Sequence, residues 1–522
     1  MELPWPLIFP TSPTLTAKPL YKLLLSLLSG ILLSLAWPEI GNLTPLIFIA
    51  LTPLLFIASF TKPHQWRSLF LYSFLSFLLW HILTDYWMLY STLLGSITAW
   101  IVNSFLMAAA LSLAFSTHKK ISFVPLSLIW AFFWLSLEIL HLSWELSWPW
   151  MNLAHVFANH VNWIQWFEYT GVYGGTFWVI TINGFIFDIL TKFINKNTKR
   201  GLLAAGLLSL YLIAPMLFSY WLLQRPLKIG NELNISVVQT NFDTYTEKFS
   251  GLSPLQQSKQ IVQQIGKINH QIDLCVLPET AIPENIIEND TNYPASIRLL
   301  LKQSRACSYP IVGSYYSKDS LNSYNTASLI RDGKIMQSRH KSKLVPFAET
   351  MPFEYITRGL KSLIEEEGGM GYSFTRDKEA RVFTINKPKK STIGVLVCFE
   401  SIFPDFTSEM QRKGAEFFII ITNDDWWGNT AGYQQHFAYA RLQAISNRRP
   451  VARAANTGIS GFIDAWGQVL QKSTYQEKTT LTQKLYSPLY QSFFSQYEVL
   501  IRWFIIIIAV VFFSLGTLYT IL

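Results

Sequence analysis

Charge is scarce in this sequence. Of its 522 residues only 14% are Asp, Glu, Lys or Arg, while 50% are hydrophobic and 15% aromatic, and the mean hydropathy is +0.25. That balance is too apolar for an ordinary soluble protein of this length and places part of the chain in lipid. Cysteine is scarcer still, with three residues, Cys275, Cys307 and Cys398. No Cys-x-x-Cys or His-x-x-x-His spacing occurs, and Asp424, Asp425 and His436 do not make a recognisable ligand set, so no metal is expected. A phosphate-binding glycine loop, an internal repeat and a low-complexity tract are all missing. The formal charge of +9 is not gathered into a basic-aromatic strip, which leaves no case for a nucleic-acid partner.

Long apolar runs are what the sequence does have. They lie near 20–37, 43–60, 69–89, 94–116, 121–142, 170–192 and 202–223, with another at 499–521. Crossing a hydrocarbon core takes about 20 helical residues, so the runs predict eight spans. Before Arg225 the basic residues fall in the N-terminal tail and in alternate loops: Lys18, Lys22, Lys62, Arg67, Lys119, Lys120, Lys192, Lys196, Lys199 and Arg200. The positive-inside rule makes those loops cytoplasmic and puts the end of the seventh run, with everything up to the eighth, on the far side. The first run lacks a small-residue cleavage pattern and reads as an uncleaved anchor.

Between 226 and 498 the texture changes to short β-type runs, turn signals and amphipathic stretches, as in a separate α/β domain. The predicted organisation is therefore a membrane domain at 1–225 with seven helices, an extramembrane α/β domain at 226–498, and an eighth membrane helix at 499–522. Strands are predicted at Ile235–Thr240, Ile272–Leu277, Pro310–Tyr315, Ser328–Ile330 and Ile335–Ser338 as a hairpin turning on "RDGK", Thr392–Val397, Phe417–Thr422, Val451–Ala455 and Gly461–Ala465. A helix is predicted through "YQQHFAYARLQAISNR".

Three predicted strand ends carry reactive groups. "DLCVLPETAIPE" leaves Glu279 just beyond its strand, "SRHKSKLVPFAE" leaves Lys341, and "VLVCFE" leaves Cys398 and Glu400. Open α/β sheets collect reacting groups beyond the carboxyl ends of strands. An acid, a cation and a thiol together make an acyl-transfer set: Glu279 as base, Lys341 as fixed cation, Cys398 as nucleophile. The backbone N–H of Phe399 is a candidate oxyanion donor. Singly, each has a plainer reading. Cys398 fits a small core residue, Glu279 a loop-end charge, and Lys341, with Arg339 and Lys343, a solvated basic face. Cys275 and Cys307 could pair if the far side is oxidising, but Cys275 sits inside an apolar strand, so core packing is the expectation for both.

The motifs "PETAIP", "HKSKLVPFAE", "VCFES", "NDDWWG" and "RLQAISNRRPVARAANTGISGFIDAWG" resemble, in order, those of the carbon–nitrogen hydrolase (nitrilase) superfamily. With the membrane spans, the chain resembles that superfamily's membrane-embedded branch, the apolipoprotein N-acyltransferases. The resemblance implies a four-layer αββα sandwich and a catalytic triad of Glu279, Lys341 and Cys398, with Glu349 supporting the lysine and Glu400 a further functional acid. It also implies a phospholipid acyl donor, a diacylated apolipoprotein acceptor, a thioester intermediate, no cofactor, and the bacterial inner membrane with catalysis on the periplasmic side. Three positions depart from the family's usual residues: Phe399 stands for Tyr, Phe249 for Trp, and Asp425 for a small residue.

Further substrate-binding candidates are Trp426, Trp427, Asp85 and Glu138, the last two because intramembrane acids are functional candidates by default, though hydration near the interface would also account for them. The five tryptophans from Trp144 to Trp166 suggest an interfacial arm or an ordinary aromatic belt. The stretch 351–376, with its Gly-Gly-Met-Gly, suits a mobile lid or a passive surface insertion. A tethered hydrolase of the same superfamily, with water in place of the amine, and a non-enzymatic transporter or sensor are the alternatives. Nothing in the sequence demands more than a monomer.

Overall fold

The computed structural model describes residues 18–268, 272–287, 292–302, 307–308, 310–317, 322–357, 359, 374–377, 379–386 and 389–521. Most of the expected lid, residues 358 and 360–373, lies outside the described residues.

Six described helices are long and apolar enough to cross a membrane: Pro19–Ala36, Pro63–Thr84, Leu93–His118, Phe167–Ile194, Thr198–Leu223 and Phe493–Leu518. The expected count of eight is not reached by this measure, for two physical reasons. Pro45 and Pro53 break the second run into a 3₁₀ turn, Thr44–Leu46, and two short helices, Ile47–Ala50 and Thr52–Ser59. The fifth run forms only the 15-residue helix Leu126–Leu140, about 22 Å long at 1.5 Å per residue against a core of about 30 Å. The break in the second run is satisfied from a neighbour. Asn183 Oδ1 accepts the N–H groups of Leu51 (2.8 Å) and Thr52 (3.0 Å), and its amide donates to the Ile47 carbonyl (2.9 Å). In lipid such unpaired backbone groups would be costly.

The extramembrane part holds thirteen described strands: β1 (Ile229–Gln239), β2 (Leu274–Val276), β3 (Ile282–Ile287), β4 (Pro310–Ser317), β5 (Ser323–Arg331), β6 (Lys334–His340), β7 (Phe383–Ile385), β8 (Ser391–Val397), β9 (Phe417–Thr422), β10 (Val451–Ala455), β11 (Gly461–Ile463), β12 (Val469–Lys472) and β13 (Thr479–Pro488). One sheet runs β13-β1-β2-β4-β5-β6, with β3 beside β4, and the other β12-β11-β10-β9-β8-β7. Side-chain alternation sorts the layers. Ile393, Val395 and Val397 with Phe417, Ile419 and Ile421 meet Leu233, Ile235 and Val237 between the sheets, while Leu396, Phe418 and Ile420 face the other way. Helices Pro254–Ile265 and Ala295–Lys302 cover the first sheet; Pro404–Arg412 and Ala431–Asn447 cover the second. The result is the expected αββα sandwich.

The second helix layer is shared with the membrane part. Nearly every residue of Ala431–Asn447 is buried, because its two faces serve the second sheet and the helix Phe167–Ile194. Arg448, in left-handed conformation (φ 47°) at the end of this helix, locks the junction. Its guanidinium is fully buried and donates to Glu168 Oε2 (2.9 Å), Gln165 Oε1 (2.6 Å) and the Gln165 carbonyl (2.8 Å), stacked 4.2 Å over Trp466. Trp148 and Trp150 of the expected interfacial arm are buried in this junction, 7% and 0% exposed, so they do not face lipid.

The chain joins Cys275 and Cys307 in a disulfide, Cα atoms 5.7 Å apart, where core packing was the expectation. Pairing of Ile272 with Cys307 sets the two segments side by side, a proximity that their 32-residue separation does not reveal. Denatured without reductant, the protein should take up one iodoacetamide, on Cys398, and three after reduction; intact mass reads both, and three adducts without reductant would contradict the pairing.

Candidate active site

Three strand ends converge as the sequence suggests. β2 leads into Glu279, β6 ends one residue before Lys341, and β8 ends one residue before Cys398. Lys341 is 1% exposed and places its ammonium between two carboxylates, 3.1 Å from Glu279 Oε1 and 2.8 Å from Glu349 Oε1. Asn325, on β5, donates to the same two oxygens at 2.7 and 3.2 Å, and its carbonyl accepts the Lys341 N–H at 2.7 Å. The other Glu279 oxygen accepts the Asn423 N–H at 3.2 Å. Burial opposes the charge on Lys341, but Glu279 and Glu349 outweigh it and hold the ammonium well above its ordinary pKa. Burial raises the Glu349 carboxyl, with Lys341 pulling the other way.

Cys398 starts the 3₁₀ turn Cys398–Ile402 at φ 51°, a left-handed conformation that is strained for a residue with a Cβ and over-determined by its surroundings. Glu400, two residues on, supplies that constraint. Fully buried, it accepts from Arg339 Nη1 (2.6 Å) and Nη2 (2.8 Å), the Val397 N–H (2.7 Å) and the Ser342 N–H (2.5 Å). Glu400 therefore ties the Cys398 turn to the Lys341 loop through an arginine. Arg339 is no solvated charge but a buried one, and Lys343 is mostly buried as well, donating to the Leu142 carbonyl (2.6 Å) and Asp405 (3.2 Å). The Cys398 thiol is pushed up by burial and by the charge of Glu279, against the pull of Lys341.

Behind the thiol, Asp424 accepts from Arg453 (2.6 Å) and Thr422 (2.7 Å) and lies 3.0 Å from His436, whose other nitrogen is 3.2 Å from the Cys398 carbonyl. Cys398, Asp424 and His436 thus converge, with potential ligand atoms within 4.8 Å of one another, a grouping the sequence did not announce. The positive charge there is Arg453, which, after the opposing effect of burial, holds the Asp424 carboxyl at about 2. A cation already compensates this donor set.

The remaining candidates divide cleanly. Cys398, Phe399 and Trp427 line a cavity with roughly 50 Å³ of free space whose other walls are Trp87, Thr98, Ala99, Val102 and Trp148 of the membrane part and Val345–Phe347 after Lys341. Phe399 stacks on Trp148, centroids 5.6 Å apart at 22°. Asp85 stands behind this wall, accepting the Trp148 indole N–H at 3.3 Å and paired with His81 at 3.1 Å. Phe249 and Trp426 stack on each other (5.7 Å, 20°), and neither lines the cavity. Glu138 is elsewhere: it accepts from Trp134 (3.1 Å), Leu153 (3.0 Å) and Thr176 (2.9 Å), none of which lines the cavity. Asp425 accepts the Thr244 N–H (2.7 Å) and faces Tyr475 (3.3 Å), which fastens the loop bearing Phe249. Sequence reading missed Asn325, Lys248 and Arg453; of these only Arg453, inside the predicted strand Val451–Ala455, had a positional signal.

Two family models match the chain, the Carbon-nitrogen hydrolase model over residues 234–493 and the Apolipoprotein N-acyltransferase N-terminal domain model over residues 29–185. The chain is 29% identical to the apolipoprotein N-acyltransferase of Chlorobaculum tepidum over 90% of its own length and 91% of that protein's. For the apolipoprotein N-acyltransferase of Geobacter metallireducens the identity is 26%, with 94% of each chain covered; for that of Rickettsia prowazekii it is 26%, over 77% and 78%. With its apolar helices joined to a sandwich whose strand ends bring Glu279, Lys341 and Cys398 together, this chain belongs to the apolipoprotein N-acyltransferase family, the membrane-embedded branch of the carbon–nitrogen hydrolases.

Proposed function

We propose that the protein is a phospholipid:apolipoprotein N-acyltransferase that works by a ping-pong route through a thioester on Cys398. The observation that carries the reading is the Lys341 ammonium bonded to both Glu279 and Glu349 beside a buried thiol that opens into an apolar cavity walled by membrane helices. Glu279 takes the proton of Cys398 as sulfur attacks the ester carbonyl of a phospholipid. Lys341, with the Phe399 N–H, stabilises the oxyanion. The ester C–O bond breaks, the Glu279 proton passes to the departing lyso-phospholipid, and the acyl group stays on sulfur. The α-amine of an S-diacylglyceryl-cysteine then attacks the thioester, Glu279 receives the amine proton, and the proton returns to the departing Cys398 sulfur. No cofactor enters this chemistry.

A base is needed because the thiol is held above its ordinary pKa, so little thiolate exists near neutrality. Glu349 and Asn325 keep Lys341 and Glu279 in register, and Arg339–Glu400 keeps the Cys398 turn in its strained form. Residues 1–225 form the membrane part, 226–498 the catalytic domain and 499–522 the closing anchor. With the broken second run and the helix Leu126–Leu140 counted as crossings, seven helices precede residue 226 and every basic loop falls on the cytoplasmic side, which leaves catalysis on the periplasmic side of the inner membrane. Both lipid substrates then reach Cys398 by lateral diffusion, and a monomer contains the whole site.

Detergent-purified protein given a phospholipid labelled in its acyl chains and a diacylated cysteinyl peptide should form labelled amide on the peptide. Cys398→Ala should abolish it, and Glu279→Gln and Lys341→Met should lower it by about 10²–10⁴-fold. Label released only as free fatty acid, whatever the peptide concentration, would favour the tethered hydrolase. The pH profile offers a second check. Without its base, Glu279→Gln should acylate at a rate that follows the thiolate, rising about tenfold per pH unit from 7 to 9, whereas the wild-type rate should be much flatter; parallel profiles would remove Glu279 from the role of base.

A further inference from the structure

A second buried lysine stands at Glu279, and the reaction as written does not use it. Lys248 ends the short turn Thr244–Lys248 that follows β1, and it is 1% exposed. Its Nζ donates to the backbone carbonyl of Glu279 at 3.0 Å and lies 5.8 Å from the centroid of the Phe249 ring. The turn that carries it is fixed from three sides. Asp243 accepts the N–H groups of Tyr245 (3.0 Å) and Thr246 (2.7 Å); Asp425 accepts that of Thr244 (2.7 Å); and Gln257, on the helix Pro254–Ile265, donates to the Lys248 carbonyl at 2.7 Å. With the turn so anchored the side chain sits away from water, where an ammonium is costly unless a partner compensates it.

The charged groups that act on Lys248 are Glu279, from the end of β2, and Asp425, from the turn after β9. Burial pulls its pKa down to about 7 and both carboxylates pull the other way. Lys341, the cation already assigned, sits on the side-chain oxygens of Glu279; Lys248 sits on its backbone. The two lysines therefore hold one glutamate from opposite ends.

We propose that Lys248 is a positioning residue for the reaction, fixing the Glu279 backbone at the end of β2 and keeping its carboxylate ionised so that it can accept the Cys398 proton. The inference rests on the acyl-transfer reading given above. Lys248 is outside the proton path: the proton that moves goes from Sγ to the Glu279 carboxylate and on to the leaving oxygen.

The test is the pH dependence of acyl-enzyme formation by the full-length protein in detergent, with a p-nitrophenyl fatty ester as the acyl donor and the burst of p-nitrophenol as the signal. Removing a nearby positive charge makes Glu279 harder to ionise, so Lys248→Met should move the acidic limb of the burst rate to higher pH by about one unit. Lys248→Gln, which keeps a donor and drops the charge, should move it equally; Lys248→Arg should restore the wild-type limb. The KM for the ester should stay within about twofold in all three, since Lys248 does not touch the acyl group. A limb unmoved in both neutral variants, or moved as far by Arg as by Met, would overturn the inference while leaving the transferase reading intact. The absence of any burst in the wild type would overturn both.

Discussion

The chemistry of this protein hangs on one buried ammonium. Lys341 is almost out of reach of water, and an isolated charge there would cost several kcal/mol. Glu279 and Glu349 remove that cost only if the end of β2 and the loop after Lys341 each bring a carboxylate within about 3 Å of Nζ. The αββα sandwich meets this demand, since β2 and β6 lie in one sheet and β8 in the other, and their ends point to the same edge. Once Lys341 is neutralised, the thiol beside it sits in a field of defined sign. Arg339 and Glu400 form a second buried pair directly behind, linking the Lys341 loop to the Cys398 turn, so the thiol and the ammonium are held by one ionic lattice.

The same sandwich is packed against the membrane part through a buried junction. The helix Ala431–Asn447 belongs to both, Arg448 closes its end on Gln165 and Glu168, and Trp148 and Trp150 plug the space above the membrane helices. Trp148 stacks on Phe399, the residue after the thiol, which makes the membrane part a wall of the active site rather than a mere anchor. On the acyl-transfer reading proposed above, this packing would hold the thiol at a set depth relative to the ester of a phospholipid. The apolar cavity between Cys398 and the helix Leu93–His118 lies where such an ester would have to come.

Much of this was legible in the sequence. The core strands of both sheets were found because an apolar run such as "TIGVLV" or "FFIIIT" is buried on both faces and cannot be much else. The Ser323–Arg331 and Lys334–His340 hairpin was announced by Asp332-Gly333, which turn at φ 50° and 75°. Strand β13 was missed because it is rich in Thr and half exposed, so it lacks a hydrophobic signature. Two of the eight predicted spans fell short because hydropathy does not register a proline break or a 15-residue helix. At the site, the meeting of Glu279, Lys341 and Cys398 could be read from strand ends, and Glu349 and Glu400 from the family resemblance, but the other buried charges could not. Arg339 and Lys248 look like surface charges until the fold buries them, and Asp85 reaches the site only through the indole of Trp148. Burial of a charge depends on what packs against it from distant segments, and no local pattern encodes that.

The central claim is that Cys398 carries the acyl group. It is tested most directly by the intact mass of the protein after incubation with phospholipid alone. The account predicts a mass gain of one fatty acyl chain, mapped to Cys398, labile to hydroxylamine and absent from Cys398→Ala. No gain with any phospholipid, or a gain mapped to another residue, would contradict it.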